Sequence, residues 1–139
     1  MGIVCIFAGM NSTIKTLLFP ALASLALLSS GCYQPTRECA DFRTGTFRFT
    51  ATIDGEEQTT VFTRTDDLEV SEFAGSTDSA SVRWINDCEY ILSNLNPANR
   101  NEEKPIHVKI LTTGDNTYTF EYKLVGTART SRGTAIKTD

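Results

Sequence analysis

Thr46-Phe47-Arg48-Phe49-Thr50-Ala51-Thr52-Ile53-Asp54-Gly55 sets the grammar of this chain. Phe47, Phe49, Ala51 and Ile53 fall on one side of an extended backbone and Thr46, Arg48, Thr50 and Thr52 on the other, the period of a half-buried β-strand. Asp54-Gly55 favours positive φ at a two-residue hairpin turn, and Thr59 to Thr65 returns with Val61 and Phe62. The same pattern predicts strands over Leu68 to Ala74, Ala80 to Ile85 and Cys88 to Ser93, with turns at Gly75-Ser76-Thr77-Asp78 and Asn86-Asp87. After a polar insertion, Asn94 to Pro105, which has room for a helical turn, Ile106, Val108 and Ile110 alternate with His107 and Lys109. Beyond Gly114-Asp115-Asn116, Tyr118, Phe120, Tyr122 and Leu124 alternate with Thr119, Glu121 and Lys123, and a weaker strand covers Gly133 to Lys137.

Eight short strands with tight turns predict an all-β antiparallel meander. One apolar face on each strand has to be covered, and an up-and-down β-barrel covers it while leaving no free edge; two packed sheets are the alternative. Phe47, Phe49, Trp84, Tyr90, Tyr118, Phe120 and Tyr122 share the inward parity, so they are the candidate lining of a pocket for a small apolar ligand. A barrel this small can also be filled by its own side chains, and that reading is preferred over a cavity.

Working back towards the N-terminus, the apolar run from Leu17 ends in Leu28-Ser29-Ser30-Gly31-Cys32. Lys15 is the charged side chain ahead of it, and the run is shorter than the roughly 20 residues of a membrane-crossing helix, so 1–31 reads as a signal peptide with initiation at Met10. The small residues before Cys32 resemble the lipobox of bacterial lipoproteins. That resemblance implies lipidation of Cys32, attachment to the cell envelope through the N-terminal lipid and, with Tyr33 following, sorting to the outer membrane. An ordinary secretory signal cut near Ala26 or Gly31 is the alternative. Residues 32–43 read as a tether and 44–139 as a single domain.

Cys5 falls in the signal and Cys32 is assigned to lipid, which leaves Cys39 and Cys88 to form one disulfide in an oxidising compartment. Two distant cysteines are too few for a metal site, and no metal or cofactor is expected. Seventeen acidic residues against thirteen basic ones, with no basic stripe, argue against a nucleic-acid partner.

The strand layout resembles the lipocalin and calycin superfamily in miniature. The superfamily's Gly-x-Trp opening has its counterpart in Gly45-Thr46-Phe47, with Trp84 on the fourth strand instead, so no family ligand site is carried over. Segments 81–92 and 107–113 are similar to stretches of small bacterial lipoproteins, some of which carry a DNA topoisomerase IV label; an export signal and the absence of a positive groove argue against that activity.

Sequence motifs for catalysis are weak. His107 has outward parity, no Gly-x-Ser-x-Gly elbow is present, and Gly126 to Thr134 lacks the Gly-Lys-Ser/Thr ending of a phosphate loop. Asp66, Asp67 and Glu69, like Asp87 and Glu89, read as solvated acidic turns rather than calcium loops. The expectation is therefore a non-enzymatic lipoprotein that binds a small apolar ligand, or alternatively one that meets an envelope protein through its loops and outer face.

Overall fold

The computed structural model describes residues 36–139. Residues 1–31, expected to be a signal segment, and Cys32 lie outside the described residues. Eight strands follow one another: β1 Gly45–Ile53, β2 Glu56–Arg64, β3 Leu68–Phe73, β4 Ser76–Asn86, β5 Glu89–Asn94, β6 Ile106–Thr113, β7 Thr117–Leu124 and β8 Ser131–Lys137. Each pairs antiparallel with the next, and β8 returns to β1, so the sheet closes into the expected up-and-down barrel.

The closing seam is the thinnest pairing. It has three register pairs, Phe47 with Lys137, Arg48 with Ile136 and Phe49 with Ala135, against nine between β1 and β2. Bonds beyond the strand ends extend it: Thr138 donates its backbone N–H to the Thr46 carbonyl at 2.9 Å, and Asp139 accepts from the Thr46 N–H at 3.1 Å. Inside, Gly133 of β8 lets two large rings approach the backbone, since a Cβ there would collide with the Phe49 ring and stand 3.0 Å from Phe120 Cζ.

One end of the barrel is closed by a 3-10 helix, Cys39–Phe42. Phe42 and Cys39 are buried in the core, Phe42 packs on Tyr118 with ring centroids 5.3 Å apart, and Cys39 is disulfide-bonded to Cys88 just before β5. Arg37 Nη1 donates to the Ile110 carbonyl at 2.8 Å, and Lys137 Nζ to the Asp41 carbonyl at 2.8 Å. The tether expected over 32–43 is thus corrected at its C-terminal end: the apolar side chain of Phe42 and the disulfide make this stretch the floor of the domain.

Three local expectations also change. The turn placed at Gly75-Ser76-Thr77-Asp78 is a two-residue turn at Ala74-Gly75, because Phe73 pairs with Ser76 and the strand continues through Asp78. Both of its residues have positive φ, 49° and 80°, matching 52° and 82° at Asp54-Gly55, the backbone twist that suits a tight hairpin. Ile53, expected inside, ends β1 at the open rim and is 43% exposed. On β3 Glu69, read from sequence as part of a solvated acidic turn, points inward with Ser71, whereas Leu68 is 37% exposed. Register decides this, since Arg64 pairs with Glu69 and Phe62 with Ser71, and paired residues share a face.

Ala74 occupies a left-handed conformation that its Cβ disfavours, so Ala74→Asn should raise the unfolding free energy by about 0.5–1 kcal/mol in urea titrations. Replacing Cys39 and Cys88 together by serine opens a loop of 49 positions and should lower it by about 2–4 kcal/mol, with the same loss on reduction of the unsubstituted protein.

Candidate functional site

Residues of the inward face divide the barrel into a packed lower half and an open upper half. Below, Phe47 stacks on Phe62 with centroids 5.2 Å apart and meets Tyr118 edge-on at 5.6 Å, while Ile110 and Ala135 are fully buried beside them. Above, the interior opens into a cavity of about 470 Å³ that reaches the rim. The preference for a filled core is therefore corrected. The cavity arises from side-chain size: Thr60, Ser71 and Ala80 on β2 to β4 are small, and they face Phe120, Tyr122 and Leu124 across the barrel. Tyr118 at the floor and Leu124 near the mouth both line it, six residues apart on one strand, which is about 15 Å of depth once strand tilt is allowed for.

Of the seven aromatics expected to line a pocket, Phe49, Tyr90, Tyr118, Phe120 and Tyr122 do so. Phe49 meets Phe120 edge-on at 5.3 Å and Tyr122 at 6.5 Å, forming one aromatic wall. Phe47 lies beneath, in the packed half. Trp84 packs against Tyr90 at 4.6 Å and under the Arg43 guanidinium at 4.6 Å, near the closed base, and its buried Nε1 has no hydrogen-bond partner among the described residues.

The floor holds what sequence reasoning missed. Arg64, on β2 and 1% exposed, directs its guanidinium into the barrel. Its Nε donates to Glu69 Oε2 at 2.7 Å, Nη1 to the Phe42 carbonyl at 3.1 Å, and Nη2 to the hydroxyls of Tyr90 at 2.7 Å and Tyr118 at 3.1 Å. Phe47, Phe62 and Tyr90 supply ring faces 4.4 to 5.3 Å from its Cζ. Burial works against the charge, but Tyr90, Tyr118 and Glu69 outweigh it and hold the guanidinium pKa above its ordinary value. The same burial pushes both phenols up against the opposing pull of Arg64, Tyr90 well above 10 and Tyr118 by a smaller step, so both remain neutral O–H groups at physiological pH. A signal for Arg64 existed in its parity with Phe62; Glu69 had none, because it stands in a run of acidic residues that reads as a solvated turn.

Polar groups also frame the mouth. The 94–105 segment forms a self-bonded turn in which the Asn99 carbonyl accepts from Glu103 N–H and the Glu102 carboxylate accepts from Ala98 N–H at 2.8 Å. It places Asn101, Glu102 and Lys104 at the opening, which Asp78 of the adjoining β4 also lines. His107 stands on the outer wall as parity required, 3.4 Å from Glu89, in a belt where Glu89, Lys109, Glu121 and Arg132 alternate in sign across β5 to β8. Asp87 is exposed near Arg43. No group of three or more metal-ligating side chains occurs among the described residues.

Because the unfolded phenols ionise near pH 10 and the folded ones higher, the native state retains protons that the unfolded chain releases. The contribution of these two phenols to the unfolding free energy should be level up to about pH 10 and fall as pH rises further, and Tyr90→Phe should shallow that fall when denaturant midpoints are compared at pH 8 and pH 11. Comparison with known proteins finds no matching family model, no matching curated protein and no matching solved structure.

Proposed function

We propose that this chain is a lipid-anchored protein of the bacterial envelope whose barrel binds one small apolar ligand. The observation that carries the binding half is the cavity: about 470 Å³, open at one end, walled by aromatic and aliphatic side chains and provided with a few convergent polar groups, within the roughly 300–1,000 Å³ of small-molecule sites. The anchor half rests on Leu28 to Cys32 and the charged and apolar regions that precede it. The described chain enters the barrel at the closed base formed by Cys39–Phe42, and the mouth lies at the opposite end.

The neutral fluorophore N-phenyl-1-naphthylamine tests the binding half. Exported protein carrying Cys32→Ser should give a saturable fluorescence rise with one site per chain, reduced at least about tenfold in affinity by Ser71→Phe, which fills the cavity. An unsaturable response, or one indifferent to Ser71→Phe, overturns that half. Intact mass of unsubstituted membrane-extracted protein should show acyl groups on a chain beginning at Cys32; an unmodified Cys32 overturns the anchor.

A further inference from the structure

The floor of the cavity selects the head group of whatever enters it. Arg64 is the cation there, and its Nε is already spent on Glu69 at 2.7 Å, a carboxylate whose side chain is only 11% exposed. An incoming anion would meet a guanidinium that already has its counter-ion and would stand beside a second negative charge. Elsewhere on the lining the balance is no better for an anion, since Asp78 and Glu102 outnumber Lys104 at the mouth. What the floor does offer is a hydrogen-bond donor. Tyr90 and Tyr118 both accept from Arg64 Nη2 through their oxygens and are hydrogen-bonded to each other, so one phenol O–H is used between them and one is left to donate, while Glu69 accepts.

We propose that the cavity takes a neutral amphiphile, a chain with an uncharged carbonyl-type head seated at Tyr90 and Tyr118, and that the Glu69 carboxylate held on Arg64 is what turns away free carboxylates. The chain of such a ligand runs up the aromatic wall of Phe49, Phe120 and Tyr122 towards the mouth. An amide suits the floor best, because its carbonyl accepts from the free phenol O–H and its N–H donates to Glu69. The inference rests on the cavity being a ligand site, as proposed above.

A matched pair decides it: octanamide and octanoate, titrated calorimetrically at pH 7.5 into the Cys32→Ser protein and into the same protein with Glu69→Gln. Octanamide should bind at least about tenfold more tightly than octanoate, the least that placing a carboxylate beside a like charge costs. Glu69→Gln, which leaves Arg64 without its counter-ion, should narrow or reverse that preference by a similar factor. Octanoate binding as tightly as octanamide overturns the inference and leaves the cavity reading intact, as does a preference that survives Glu69→Gln unchanged. Failure of both ligands while the naphthylamine probe still binds likewise overturns the inference alone; failure of all three removes the cavity reading with it. Should Glu69→Gln not fold, octanoate titrated into the parent protein at pH 4.5, where much of it is the neutral acid, should approach the affinity of octanamide, and no gain in affinity overturns the inference.

Discussion

A guanidinium buried at the base of a closed barrel is the constraint on which the rest of this structure depends. Arg64 cannot be desolvated without partners, and the price of leaving even one donor unpaired is large enough that its surroundings must be arranged around it. Glu69, Tyr90, Tyr118 and the Phe42 carbonyl come from β3, β5, β7 and the 3-10 helix, so one side chain on β2 ties together four other parts of the domain. Removing any one partner would expose the mismatch of the others, which makes the floor a cooperative unit and explains why the lower half is packed.

The upper half is open for a different reason. Eight strands enclose a space that side chains can fill only if large residues point inward from all sides. Here the large ones are concentrated on β1 and β7, where Gly133 on the neighbouring β8 makes room for the Phe49 and Phe120 rings, while β2 to β4 contribute Thr60, Ser71 and Ala80. Aromatic bulk on one wall and small side chains on the other leave a slot between them. Its base is polar, its sides are apolar and its mouth is framed by a loop held by its own hydrogen bonds. The outer face of the same sheet carries charges that alternate in sign across β5 to β8.

Much of this was legible in the sequence. Strand order, most strand faces and the Asp54-Gly55 turn follow from period two and from residues that favour positive φ, which are local properties. The Cys39–Cys88 pair followed from counting cysteines once the N-terminal segment was set aside. The Ala74-Gly75 turn was placed too far along, over 75–78, because alanine at positive φ carries no local signal. Glu69 was read as part of a solvated acidic turn, since only its pairing with Arg64 across β2 and β3 turns it inward.

What the sequence alone determined is an all-β antiparallel meander built from hairpins, with aromatic residues on one shared face, because alternation and turn chemistry act within a few residues of one another; closure into a barrel rests on the β1–β8 pairing. What only the tertiary structure decided is where that interior is full and where it is empty, and which charge it contains. Both depend on residues brought face to face across the barrel, Thr60 and Ser71 opposite Phe120 and Tyr122, and Arg64 against Glu69 with two tyrosines. Volume and desolvation are properties of the enclosed space, and no stretch of the chain carries them by itself.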